Sequence, residues 1–162
     1  FKYFIESMPL VLKQHPKTKF VIIGSGELEA SLKELANKLK VSSDIIWLGY
    51  RKDVQNLMSQ LDLIVLSSLW EGLPLTPIEA FSVGRAVVAT AVDGTVEEVK
   101  DGLNGYLVSD KDSKMLAEKI VKAINNDSKL EGFAKKTYTS EFTFDIFSRA
   151  YINFYKNMEK SE

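Results

Sequence analysis

The sequence predicts an α/β domain, a Rossmann-like parallel sheet with helices on both faces. Three observations predict it. Short apolar runs alternate with amphipathic segments along the 162 residues. The runs are continuous and rich in Val, Ile and Leu, as in strands buried on both faces, instead of alternating with polar residues as half-wet strands do. The segments between them are long enough for the crossover helices that parallel strands require.

In chain order, Phe1, Phe4, Ile5, Met8 and Leu12 have helical spacing, and the helix ends near "HPK". "KFVIIG" reads as a buried strand bounded by Gly24. "ELEASLKELANKLK" is a helix with leucines at 28, 32, 35 and 39, and "DIIWLG" is a second strand. "DVQNLMSQ" is a short helix with Asp53 as its N-cap. "LDLIVLSS" is a third strand, "PIEAFSVG" a helix and "AVVAT" a fourth strand. "VEEVK" is a short helix, "GYLV" a fifth strand and "SKMLAEKIVKAI" a strong helix. Two more helices are expected between Ser128 and Lys160, with aromatic residues at helical spacing that read as a docking face.

Bulk composition excludes several functions. The 21 basic and 22 acidic residues leave a net charge of −1, which does not call for nucleic acid or an anionic membrane as partner. There is no cysteine, so disulfides and thiolate metal sites are excluded, and the one histidine excludes a two-histidine zinc site. No run of about 18 apolar residues marks a membrane span. The chain opens on Phe inside a helix with no strand before it, so it is expected to be a piece of a longer protein.

In parallel sheets of this kind ligands bind outside the carboxyl ends of the strands. That directs attention to "GSGE" at 24–27, "GYRKD" at 49–53, "SSLWEGLPLT" at 67–76 and "TAVDGTVEE" at 90–98. Loops at the opposite end, with His15, Asp62 and Arg85, are expected to carry structure. "GSGELEASL" is not a dinucleotide fingerprint, because position 29 is Glu where G-x-G-x-x-G needs Gly.

"WEGLPLTPIEAF" at 70–81 holds two acids, Glu71 and Glu79, around a strand-to-helix turn. Thr76 as N-cap, Pro77 at N1 and Glu79 at N3 would make a capping box, which explains Glu79 without a ligand. Gly84 suits the C′ position after that helix. Glu71 has no such account. A helix start is also an anion site, through its free N–H groups and its dipole. Carboxylates beside it repel a bare phosphate but accept from hydroxyls, and a vicinal diol offers two donors. A ligand with both phosphates and diols, a nucleotide-sugar, suits the pair, with the diphosphate on the helix start at Leu75 and Thr76. Gly72 beside Glu71 lets backbone approach such a ligand.

The stretch "EGLPLTPIEAFSVGRAVVAT" resembles the donor-binding motif of the family 4 retaining glycosyltransferases, in which two glutamates are separated by seven residues. "FVIIGSGE", "IIWLGY", "DLIVLSS", "VDGTVEEVKDGLNGYLV" and "LAEKI" match in order. The resemblance implies one half of a GT-B fold, with residues 1–162 as a single C-terminal nucleotide-sugar-binding domain truncated at its N-terminal edge. It implies that Glu79 holds the ribose hydroxyls and that Glu71 meets the transferred sugar, with Gly72 and Leu73 beside it. Tyr50 and Arg51 would lie by the base, and Gly24 and Gly26 would let their loop approach the nucleotide. The implied substrate is a nucleoside diphosphate sugar, a UDP-sugar first, with no cofactor and no metal. No catalytic residue is assigned. The implied partners are the donor and an N-terminal domain of the same enzyme, and the implied location is cytoplasmic, at the inner face of a membrane for the full-length protein. The isolated chain is expected to be inactive.

The chain departs from the family pattern at Asp93-Gly94, where Gly-Gly is common, and at Ala86, where Pro is frequent. Two other readings stay open at this point. One is half of a nucleotide-sugar epimerase. The other is a non-catalytic α/β module that binds a nucleotide or a protein, with Glu79 as a helix cap only.

Overall fold

The computed structural model describes residues 1–159. Five strands, β1 (Phe20–Ile23), β2 (Ile45–Gly49), β3 (Ile64–Leu66), β4 (Val87–Thr90) and β5 (Gly105–Val108), alternate with helices. The helices are α1 (Lys2–Gln14), α2 (Glu29–Lys38), α3 (Val54–Met58), α4 (Leu75–Ser82), α5 (Thr95–Glu98), α6 (Ser113–Asn125), α7 (Asp127–Glu141) and α8 (Phe144–Glu159). Every strand pairing is parallel. The expected elements are all present among the described residues, and Lys160 lies outside them.

The parallel sheet is in two parts. β1 pairs with β2, and β3, β4 and β5 form a separate three-stranded sheet in that order. In the second sheet Ile64 faces Val87, which faces Gly105.

β4 shows why the fold needs two helical layers. All four of its residues are buried, and successive side chains point to opposite faces. Val88 joins a core with Phe4, Ile5 and Met8 of α1 and Leu116 and Ile120 of α6. Val87 and Ala89 join a second core with Phe81 of α4, Met58 of α3 and Ala134 of α7. The first core is fixed by an edge-on contact of Phe4 with Phe20, centroids 5.7 Å apart. The second has Phe81 stacked on Phe142 at 6.4 Å.

Helix ends follow local chemistry, with corrections to the sequence reading. Asp112 caps α6 by accepting from the Met115 N–H at 2.8 Å. Gly84 follows α4 at φ +76, the left-handed C′ position expected of it. Asp53 stands at the N-cap of α3 but makes no side-chain cap bond. Its carboxylate is taken by Arg51, whose Nε and Nη2 donate to it at 2.8 and 2.7 Å. α2 begins at Glu29 and not at Glu27.

The capping box of Thr76 and Glu79 does not form. α4 starts at Leu75 with Pro74 as N-cap and no side-chain cap bond. Pro77 is then the third helical residue. The N–H groups of a first turn have no intrahelical acceptor, so a proline there forfeits nothing. The extended backbone of Pro74, φ −71 and ψ 135, supplies the entry that Thr76 was expected to give.

Candidate functional site

The carboxyl ends of β1, β2 and β3 deliver the candidate residues to one place. Gly24 follows β1, Tyr50 and Arg51 follow β2, Ser67 and Ser68 follow β3, and Thr76 and Glu79 lie on the first turns of α4. All of these line a single cavity of about 890 Å³ that runs between β1 and β3. Glu79 is half-buried. Without a capping role, its carboxylate has no structural partner among the described residues that would account for it. The N–H groups of Leu75 and Thr76 are likewise left uncapped by any side chain.

Glu71 does not line this cavity but is bonded to Ser68, which does, so it forms the rim beside it and is held from both directions. Its Oε1 accepts from the Ser68 hydroxyl at 2.6 Å, and its backbone N–H donates to Asp93 Oδ2 at 3.1 Å. Ser68 is in turn tied to β4, because the Thr90 hydroxyl donates to its carbonyl at 2.5 Å. Gly72, Leu73 and Leu75 are exposed outside the cavity, and Gly26 lines a neighbouring cavity of about 580 Å³. The candidate residues therefore share one end of the molecule but form a cavity wall, a rim and an outer loop. Trp70, beside this rim, is 80% exposed.

The loop after β4 clamps the rim. The Gly94 N–H donates to the Gly72 carbonyl at 2.9 Å. A Cβ on Gly94 would sit 2.2 Å from that carbonyl oxygen and 2.9 Å from Leu73 Cα, so only glycine permits the contact. Asp93, where the family pattern favours Gly, adopts φ +38. Asp is one of the few side chains that tolerate the left-handed region, and here its carboxylate binds the Glu71 backbone.

Sequence reading missed Ser68, Thr90, Asp93 as an anchor, and Glu98. The signal for Ser68 was a small hydroxyl residue directly after a buried strand. Glu98 is 1% exposed and neither carboxylate oxygen has a hydrogen-bond partner. Burial, then the charges of Glu97 and Glu71, push its pKa up to about 7. Nothing in the sequence distinguishes it from exposed Glu97. At the opposite end Arg85 is structural, as expected. It pairs with Glu131 on α7 and donates to the Ser59 carbonyl at 2.8 Å.

The profile of the family described as glycosyl transferases group 1 matches residues 1–140. The chain belongs to that family. Among curated relatives, the UDP-Gal:alpha-D-GlcNAc-diphosphoundecaprenol alpha-1,3-galactosyltransferase of Escherichia coli is 31% identical over 127 residues, 76% of this chain and 33% of the relative. The N,N'-diacetylbacillosaminyl-diphospho-undecaprenol alpha-1,3-N-acetylgalactosaminyltransferase of Campylobacter jejuni is 28% identical over 162 residues, 99% of this chain and 42% of the relative. A solved structure of a mutant TarM of S. aureus, in complex with fondaparinux, alpha-GlcNAc-glycerol and UDP, superposes with a TM-score of 0.85 and 26% identity, over 93% of this chain and 31% of that one. The chain spans less than half the length of these relatives. The group 1 assignment agrees with the family 4 resemblance and with the Rossmann-like half of a GT-B fold. No helix of the described residues is long and apolar enough to cross a membrane.

Proposed function

We propose that this group 1 chain is the donor-binding half of a retaining hexosyltransferase that uses a nucleoside diphosphate sugar, a UDP-sugar first. The observation that carries the reading is Glu79. It faces the cavity at the carboxyl end of β3, on a helix whose start it does not cap. A half-buried carboxylate released from a structural task suits a ribose diol, which gives it two charge-assisted hydrogen bonds. The uncapped N–H groups of Leu75 and Thr76 face the diphosphate, with the α4 dipole behind them. Glu71, oriented by Ser68 and Asp93, takes hydroxyls of the transferred sugar, beside Gly72 and Leu73. Tyr50 and Arg51 border the base, and Gly24 and Gly26 leave open space beside it.

UDP named in the relative and in the TarM complex supports the choice of nucleotide. The domain is the C-terminal one, and the opposing wall of the cleft comes from an N-terminal domain of the same protein, which also takes the acceptor. The diphospho-undecaprenol acceptors in the relatives' names support a lipid-linked acceptor and work at the inner face of a membrane. The 162-residue chain alone is inactive on this reading.

Calorimetric titration of the full-length protein with UDP, GDP and their sugars tests it. Glu79→Ala and Glu79→Gln should each weaken binding of the preferred nucleotide by about 10- to 100-fold, the loss of one or two hydrogen bonds to a charged group. Unchanged affinity in both variants would overturn the assignment.

A further inference from the structure

Among the described residues, Glu98 is the one charged side chain that is fully buried, and neither of its carboxylate oxygens has a hydrogen-bond partner. Buried polar groups are almost always paired, so one that is not calls for a reason. Its backbone is pinned at both ends of α5. At the head, the Gly94 N–H donates to the Gly72 carbonyl at 2.9 Å, and Asp93 accepts from the Glu71 N–H at 3.1 Å. These bonds tie α5 to the loop that carries Glu71. At the tail, the Asn104 side chain donates to the Glu98 carbonyl at 3.0 Å and accepts from the Lys100 N–H at 2.8 Å. Asn104 is itself fully buried.

The charges that act on the Glu98 carboxyl are those of Glu97, on its own helix, and Glu71, on the loop. Both are acids. α4 packs against α5, and its one titratable residue, Glu79, lines the cavity. α7 reaches the tail of α5 through a neutral pair, Asn104 donating to Thr137 at 3.5 Å. Lys100, two residues on, is exposed, and its ammonium donates to the Glu97 carbonyl at 2.6 Å instead. A proton is therefore what neutralises the buried acid. Burial, then Glu97 and Glu71, put its pKa at about 7.

We propose that Glu98 is a positioning residue for Glu71, and that loss of its proton drives the Glu71 carboxylate off the Ser68 hydroxyl and weakens the hold on the transferred sugar. Two like charges with little water between them repel strongly. Glu98 is pinned and buried, whereas Glu71 is half-buried at the rim and held through its side chain by the single 2.6 Å bond from Ser68. Glu71 is thus the member of the pair that moves. The proposal rests on the reading of Glu71 as the carboxylate that meets the sugar. It adds that this hold is strongest below pH 7, while the Glu79 side of the site does not depend on Glu98.

Calorimetric titration of the full-length protein at pH 6 and pH 8, with UDP and with UDP-galactose, UDP-glucose and UDP-N-acetylglucosamine, tests it. The tightest-bound sugar nucleotide should lose about tenfold in affinity for wild type from the lower pH to the higher, the weight of one hydrogen bond to a charged group. Glu98→Gln keeps the shape of the protonated acid and cannot ionise, so it should remove that loss. UDP, which has no sugar, should respond to pH alike in both proteins. No loss in wild type, or the same loss in Glu98→Gln, would overturn the proposal. A second readout needs neither ligand nor variant. In carbon NMR of the labelled full-length wild type, the Glu71 carboxyl signal should move together with the Glu98 signal around pH 7. A Glu71 signal that ignores the titration of Glu98 would overturn the proposal on its own. If the two move together but Glu71→Gln binds the sugar nucleotide as tightly as wild type, the sugar reading of Glu71 is what has failed, and the proposal falls with it.

Discussion

At the scale of single residues, the two glutamates of the motif were legible for different reasons. Glu79 had a sufficient local explanation as part of a capping box, and the structure removes that explanation by starting α4 at Leu75. Capping signatures are read from spacing, and a first turn that tolerates Pro at any of its early positions leaves the spacing ambiguous. Glu71 had no local explanation, and its partners Ser68 and Asp93 come from separate loops that only the fold brings together. Asp93 illustrates a departure from pattern that carries its own compensation. Both variants lose the bond from the Glu71 N–H, and Asp93→Ala should be less stable than Asp93→Gly by about 1 kcal/mol in urea denaturation, because a Cβ makes the left-handed backbone costly.

Glu98 was not legible at all, since burial of one of two adjacent acids depends on tertiary packing. Its pKa lies near 7 in the folded chain against 4.5 for an ordinary glutamate, from burial first and then from Glu97 and Glu71. Below pH 4.5 both folded and unfolded chains hold the proton, and there is no penalty. Between pH 4.5 and 7 the unfolded chain releases it first, so stability falls as pH rises, by on the order of 3 kcal/mol in all. Above pH 7 the loss is complete. Glu98→Gln should therefore raise the melting temperature at pH 8 and leave it close to wild type at pH 4.5. A wild-type stability that is flat across this range would contradict the burial of an unpartnered carboxyl.

At the scale of elements, periodicity and run length placed every α-helix and strand of the described residues, while the short 3-10 turn Ser42–Asp44 went unread and the other errors lie at ends, where caps decide. The 3.6 and 2 periods report burial, and burial is what the two cores enforce. Phe81, fully buried between α4 and Phe142, carries much of the second core. Phe81→Ala should cost about 3–5 kcal/mol by urea denaturation. Gly94→Ala should displace the 71–73 loop, since its Cβ would meet backbone and not a flexible side chain. The check is donor affinity of the full-length protein, expected to fall together with stability. The tail was read as a docking face, and its two helices differ. Phe142, at the end of α7, stacks on Phe81, while Phe147, Tyr151 and Phe154 of α8 stay more than half exposed and α8 rings meet one another in tilted and edge-on contacts.

At the scale of the whole molecule, the fold class was legible because alternating apolar runs and amphipathic segments have few solutions. The division of the sheet was not, because no run in the sequence reports which strands are neighbours. That division and the position of the candidate site are linked. The cavity that separates β1 from β3 is lined by Glu79, Thr76, Tyr50 and Gly24 at the carboxyl ends and by Lys17, Thr18 and Asp62 at the other. The group 1 match covers residues 1–140, and the likeness to TarM covers 93% of this chain but 31% of that one.

The central claim is that the Glu79 carboxylate binds the ribose diol of the donor. A cycle that removes each partner in turn addresses it most directly, by titrating full-length wild type and Glu79→Gln with UDP and with 2′-deoxy-UDP. The account predicts that deleting the 2′-hydroxyl weakens binding to wild type by about tenfold, one hydrogen bond to a charged group, and changes binding to Glu79→Gln little. Equal losses in both proteins would contradict it, since the hydroxyl would then be read by some other group.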